Sequence, residues 1–586
     1  MKDFVKYTLA TLTGIVLSFL FFLIVGIVMF AGLMVGGQTA PGVQPQTVLH
    51  ISLSGQLKED VIDNPMAELL GDSYKEISLK SLLSAIKTAE TDNRISGIFL
   101  EAGSFLVESP AMTEELRDAL LSFKKSGKFV AAYGDNYSQN CYYLCSVADC
   151  VALNPQGQLD WCGMAAQPVF FKELLEKIGV RMQVFKVGAY KSAVEPYTLT
   201  QMSDENRRQV SSYLNDIWTK ILSDVSASRH VDTLRLNRYA DEMLAFVSAD
   251  ELVKKGMVDT LCYMDGVEHM LDRMNGGSHR MISVDDWLLV PVNKKTQKNK
   301  VAVYYAYGDI VDQSDDWVED VIDGKSMCRD LKDLRKDNSI KAVVLRLNSG
   351  GGSAYASEQI WHEVRELSKV KPVVVSMGGM AASGAYYLAS AANYIYAQPT
   401  TLTGSIGIFG LVPDGSELLG KKLGLTFDAV KTNRHSDFGT IARPFNAEER
   451  SLMQGYVQKG YNLFMSRVAE GRNLSVKQVD GIAQGRVWTG KQALTHGLVD
   501  ETGSLQDAIT KASALAKLQT YSVETYPLPE PWYGYLLDKQ KKHYLDSYAR
   551  ETIGEYYGIL MNWRTVARSN QLQARLPYAL NLINWN

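Results

Sequence analysis

The chain repeats itself, and that repeat is the strongest constraint on its fold. At one constant offset Gly134 matches Gly378, Tyr142-Tyr143-Leu144 matches Tyr386-Tyr387-Leu388, and Pro155 matches Pro399. The pattern around them predicts the same order of elements twice. In the first half these are a buried strand at Ile95–Leu100, a helix near Met112–Phe123, a strand Phe129–Ala132 and a helix around Cys141–Val147. In the second they are a strand at Ile340–Leu345, a helix near Ala354–Leu367, a strand Val373–Ser376 and a helix from Ser383. Further on, SADELVKKGMVD (Ser248–Asp259) parallels TGKQALTHGLVD (Thr489–Asp500), a helix closed by a glycine cap. Strands alternating with helices of this length give βαβ units and a mostly parallel sheet. Two α/β domains are therefore expected, residues 46–290 and 299–525, joined by the polar stretch Asn293–Lys300 (NKKTQKNK).

Composition narrows the function. With 46% hydrophobic and 22% charged residues, the 586-residue chain can bury large cores and is not a disordered polymer. A net charge of −4, from 61 Lys+Arg against 65 Asp+Glu, gives no basic footprint for nucleic acid. Six cysteines without C-x-x-C spacing and eight histidines without an H-x-x-x-H pair predict no metal site, and no cofactor is expected.

Outside the repeats lie two different ends. From Thr8 to Val35 the chain is uncharged and almost wholly apolar, longer than the roughly 20 residues a membrane crossing needs. No small-x-small cleavage site follows, so residues 1–45 are expected to form an uncleaved single-pass anchor. Lys2 and Lys6 precede the run, which by the positive-inside rule places the N-terminus in the cytoplasm and the body outside it. Residues 526–586, rich in Tyr and Trp, are read as helices whose aromatic face packs on the second domain or a neighbouring subunit.

The informative positions are those where the two copies disagree. After its strand the second copy reads Asn348-Ser349-Gly350-Gly351-Gly352-Ser353, a glycine run that can point backbone N–H groups at developing negative charge. The first copy has Gly103-Ser104-Phe105-Leu106-Val107 there. Ser383 follows the small residues Ala381-Ala382 and stands opposite Gln139; Ser405 stands opposite Trp161. The first copy alone carries a lysine, Lys191 in Val187-Gly188-Ala189-Tyr190-Lys191-Ser192-Ala193, where the second has Thr432–Asp437.

One half thus offers a nucleophile without a base, the other a base without a nucleophile. A single serine of this kind is most often a helix N-cap, and a single loop lysine is most often solvated. Their joint occurrence, with reciprocal loss in the other copy, points to a Ser/Lys dyad. An ordinary lysine, with a pKa near 10.4, is no base at neutral pH, but burial in apolar surroundings can lower it by about 3 units. Lys191 would then take the proton of Ser383 and Ser405 would orient the amine. The amides of Gly351 or Gly352, with Gly384, would stabilise the oxyanion.

At these motifs (GAYKSAVEP, NSGGGSAYASE, SMGGMAASGAYYLAS and TLTGSIGIFG) the sequence resembles the signal peptide peptidase A family, in its long, tandem-duplicated, membrane-anchored bacterial form. The resemblance implies two ClpP/crotonase-like domains of ββα units and a serine endopeptidase that degrades spent signal peptides and other hydrophobic peptides. It also implies Ser383 as nucleophile and Lys191 as general base, a bowl-shaped homotetramer, and residence in the cytoplasmic membrane with a periplasmic body. The chain departs from the family where Gly350 replaces the usual Pro and Ala385 an often-found Gly. The competing readings are a crotonase-like acyl-CoA enzyme, an inactive membrane scaffold, and a Ser/His pair using His362 or His435.

Overall fold

The computed structural model describes residues 2–36, 42–61, 76–291, 297–314, 320–528, 573–575 and 582–583. Each repeat is built on a parallel sheet. In the first, strand Thr47–Lys58 lies between Glu76–Ser78 and Ile95–Val107, and the sheet continues through Phe129–Gly134, Cys150–Leu153 and Thr260–Leu261. Arg280–Ser283 pairs with Thr47–His50 on the same edge that Glu76–Ser78 takes further along. In the second, Lys300–Tyr307 lies between Ser522–Tyr526 and Ile340–Ser349, followed by Val373–Ala382, Tyr394–Ala397 and Glu501–Thr502. Six strands follow the same order in both; the second sheet adds Leu402–Gly404 and Val487–Thr489 along the end of Val373–Ala382.

These strands are near-continuous apolar runs because helices cover both faces. In Ile340–Ser349 the side chains alternate. Val343 and Leu345 pack with Ile360 and Val364 of helix Ala354–Ser368. Ala342 and Val344 pack with Ala508 and Ile509 of helix Leu505–Leu515. The main strands run further than their apolar cores predict. A register break between Leu347 and Ser349 lets pairing with Val373–Ala382 continue into the polar turn that carries the glycines.

The residues that match between repeats hold the scaffold. Tyr142 Oη donates to Met257 O (2.7 Å), and Tyr386 Oη to Leu498 O (2.9 Å). Asp259 accepts from Val151 N (2.7 Å) and pairs with Arg229; Asp500 accepts from Ile395 N (2.8 Å) and pairs with Arg472. Helices Asp204–Arg229 and Ala447–Arg472 are both 26 residues long.

Buried polar contacts and a shared sheet join the repeats. Arg346 of the second, 2% exposed, binds Glu59 (2.9 Å) and Glu115 (2.6 Å) of the first, and Glu115 also accepts from Leu505 N (2.8 Å). The shared sheet runs Val321–Asp323, Asp309–Val311, Gly351–Ser353, Gln573–Arg575, Phe409–Asp414, Arg181–Lys186. Its last strand comes from the first repeat, so residues 46–290 contribute directly to the second repeat's architecture.

At the N-terminus helix Lys2–Gly36 contains one stretch, Lys6–Gly26, long and apolar enough to cross a membrane, with none of it buried in the protein. The helices expected in 526–586 lie outside the described residues. What is described there is extended: Gln573–Arg575, and Leu582–Ile583 paired with Ala165–Ala166. Half of the expected linker, residues 293–296, also lies outside them, and Lys300, its last residue, already belongs to a strand.

Candidate active site

Ser383 sits at the turn between strand Val373–Ala382 and helix Gly384–Ala389, one residue before the helix rather than in it. Its φ of 55° and ψ of −112° are a combination non-glycine residues rarely adopt, of the kind held at functional turns by their surroundings. Here the Ser383 amide donates to Gly404 O (2.8 Å) and its carbonyl accepts from Tyr387 N (2.8 Å). The hydroxyl makes no helix-capping bond. It lies instead 2.8 Å from Lys191 Nζ.

The first repeat delivers that lysine through strand Arg181–Lys186, which pairs antiparallel with Phe409–Asp414 of the second. The loop beyond is pinned: Val187 N donates to Ile408 O (3.3 Å) and Tyr190 N to Gln484 O (2.9 Å). Gln209 donates to Tyr190 O (3.2 Å) and Ser192 Oγ (3.0 Å) while accepting from Val487 N (3.2 Å). Gly485 (φ 77°) lies flat against the lysine; a Cβ there would come within 2.6 Å of Lys191 Cβ.

Lys191 is fully buried. Its Nζ has three neighbours: Ser383 Oγ, and both the carbonyl and the hydroxyl of Ser405 at 3.1 Å. No carboxylate is among them, and burial alone holds its pKa well below the usual lysine value. An uncharged amine has two N–H groups and one lone pair. Both N–H groups can go to Ser405, leaving the lone pair for the Ser383 proton.

Gly351, at φ 100°, supplies the turn, and its own amide donates to Ser349 Oγ (3.1 Å). The amides of Gly352 and Gly384 remain, and they border one space: a Cβ on Gly384 would lie 3.2 Å from Gly352 N. All six residues singled out in the sequence therefore meet, with Gly352 and Gly384 the better-placed pair of donors.

In the first repeat the equivalent positions are filled. Gln139 accepts from Cys162 N and Gly163 N (3.0 Å each), and Trp161 is buried with its indole donating to Leu236 O (2.8 Å). His435 lies beside Glu448 (3.6 Å) and Glu449 (3.9 Å), and the side-chain partner of Ser383 is Lys191, not His435 or His362. Sequence reasoning missed Gln209 and Gly485, which seat the lysine loop; the glycine in Gln484-Gly485-Arg486 was the available signal. It also missed Ala574, whose carbonyl lies at the glycine turn.

Two tandem parallel-sheet repeats of ClpP-like fold, with the buried serine in the second, are matched by peptidase profiles that give the class, a serine-type peptidase; the Clp protease profile matches residues 314–402. The chain belongs to peptidase family S49, whose profile matches it twice, at 122–276 and 365–519. It is 36% identical over 533 residues to Protease 4 of Haemophilus influenzae, covering 86% of this chain and 85% of that protein. Against Protease 4 of Salmonella typhi it is 37% identical over 536 residues, covering 87% and 84%. A putative signal peptide peptidase SppA of Enterococcus faecium is 34% identical over 197 residues, 33% of this chain and 57% of that one.

Proposed function

We propose that the protein is a membrane-anchored serine endopeptidase with a Ser383/Lys191 dyad, degrading cleaved signal peptides and other hydrophobic peptides. The observation that carries this reading is the 2.8 Å contact between the Ser383 hydroxyl and a fully buried lysine amine, whose pKa burial holds well below the usual value.

Lys191 takes the Ser383 proton as Oγ attacks the scissile carbonyl carbon. The Gly352 and Gly384 amides stabilise the oxyanion; one such donor is worth about 2.7–4 kcal/mol elsewhere. Lys191 then protonates the leaving amine, and a water activated by the same amine hydrolyses the acyl-enzyme. Ser405 keeps the lone pair aimed at Ser383 throughout.

The substrate class rests on the likeness to the putative signal peptide peptidase of Enterococcus faecium and on the apolar helix, which would hold the body beside membrane-borne peptides. Lys2 and Lys6 favour a cytoplasmic N-terminus, a periplasmic body and the inner membrane. A homotetramer is the assembly we expect.

The test is hydrolysis of a synthetic signal peptide by the full chain in detergent micelles, with products read by mass spectrometry. Ser383→Ala and Lys191→Ala should each lose at least about 10³-fold in kcat while staying folded. Substantial activity of Lys191→Ala at neutral pH would overturn the dyad.

A further inference from the structure

Arg486 is a cation without a counterion beside the candidate active site. Its guanidinium lies over the ring of Tyr190 (5.2 Å) and over that of Trp488 (4.0 Å). Among the described residues it forms no ion pair, and its Nε is closed off from water without a hydrogen-bond partner. The carboxylates of neighbouring stretches are engaged elsewhere. Asp480 accepts from Tyr461 Oη (2.9 Å) and Gln484 Nε2 (2.6 Å), and Asp216 from Lys491 (3.3 Å) and Thr489. The charge is felt locally: burial, and after it the Arg486 charge, lowers the pKa of His496, which packs on Trp488 (4.2 Å).

The position is tied to the dyad. Gly485, one residue earlier, lies against Lys191, and Tyr190, which the guanidinium covers, is the residue before it. The Arg486 carbonyl accepts from Ser405 N (2.7 Å), and the Trp488 indole is fixed by donating to Ile482 O (2.9 Å). With Ser248 matched to Thr489, the first repeat has Ala245 and Val247 where Arg486 and Trp488 stand. The cation and its aromatic platform thus accompany Ser383 and are absent from the copy without a nucleophile.

A guanidinium held in place between rings is suited to a carboxylate, which it can grip through two parallel N–H bonds. The hydrolysis that frees a signal peptide leaves a new α-carboxylate at its C-terminal end. That end belongs to the fragment that departs as an amine when Ser383 is acylated, and the amine takes its proton from Lys191. It therefore lies on the lysine side of the centre, across from the Gly352 and Gly384 amides. Arg486 stands on that side. We propose that Arg486 binds the free C-terminal carboxylate of the substrate, so that the centre selects peptides already cut from a larger chain. The inference rests on the function proposed above and adds which end of the peptide is recognised.

The test is hydrolysis of synthetic signal peptides by the full chain in detergent micelles. One peptide has a free C-terminal acid, one is its C-terminal amide, and one is an amide whose last residue is replaced by glutamate. Wild-type kcat/KM should favour the acid over both amides by about tenfold or more, chiefly through KM. In Arg486→Met the ratio should fall to about one, and Arg486→Lys should recover part of it. An arginine with a purely structural role would slow all the peptides together and leave the ratio in place, which overturns the proposal. A wild-type protein indifferent to the terminal acid overturns it too, as does a glutamate amide as good as the acid. Binding of the same peptides to Ser383→Ala, read by fluorescence anisotropy, gives the contrast without chemistry. Preference for the acid there, with no hydrolysis by the wild type, upholds the carboxylate site and sinks the dyad. No preference and no hydrolysis sinks both.

Discussion

Lys191 Nζ and Ser383 Oγ stand 2.8 Å apart although 192 residues of sequence separate them. The contact crosses from one repeat to the other. What the repeats kept in common, such as Tyr142/Tyr386 and Asp259/Asp500, ties helix to sheet in each half. What they lost reciprocally is concentrated at this one point.

The burial of Lys191 fixes the direction of the pH dependence. Its amine must be uncharged to act, and its pKa lies well below the usual 10.5, so kcat/KM should rise with pH through that lowered value. The same shift is a stability statement. Between the lowered value and 10.5 the unfolded chain holds a proton that the folded chain does not. Stability should therefore rise with pH across this window, by up to about 1.4 kcal/mol per unit from this group. Lys191→Met should lack that contribution, so the stability difference between it and the wild type should shift in the wild type's favour as pH rises. Denaturant titrations of both proteins at several pH values measure it.

Ser405 offers the lysine two oxygens, and only one belongs to its side chain. Ser405→Ala leaves the carbonyl in place and removes one hydrogen bond, worth about 1 kcal/mol. A fall in kcat of about tenfold or less is expected, far milder than Lys191→Ala. Steady-state kinetics on one peptide substrate distinguishes the two.

Gly485 and Gly127 share a positive φ, 77° and 86°, but only the former touches the lysine. Replacing either by Ala should cost about 1–2 kcal/mol of backbone strain. Gly485→Ala should in addition push Lys191 off line and cost about 10²-fold in kcat. Gly127→Ala, with open space around its Cβ, should keep full activity. Melting and kinetics of the two variants side by side give the answer.

Arg346 pairs with two buried carboxylates from the other repeat, Glu59 and Glu115. Arg346→Met strands them, and a loss of about 3–5 kcal/mol in unfolding free energy is expected. Adding Glu59→Gln and Glu115→Gln to that variant should restore much of the loss, which equilibrium denaturation would show.

Much of this was legible in the sequence because duplication makes a chain its own comparison. The apolar runs of Ile95–Leu100 and Ile340–Leu345 mark the central strands, and the mismatches at Gln139 and Trp161 mark the site. Strand ends were not legible, since pairing continues through a register break into residues with no apolar pattern, as at Ser349. Nor was the exchange of Arg181–Lys186 into the second repeat's sheet, which depends on partners far away in sequence. Ala574 was hidden for the same reason: its short strand acquires its meaning from Gly352 and nothing in its own neighbourhood announces it.

The most direct test of a shared centre is covalent labelling by a serine-directed phosphonate, with the modified residue mapped by mass spectrometry in wild type and Lys191→Ala. The account predicts label on Ser383 in the wild type and labelling slowed by about 10³-fold without the lysine. Label on a different residue, or an unchanged rate in Lys191→Ala, would contradict it.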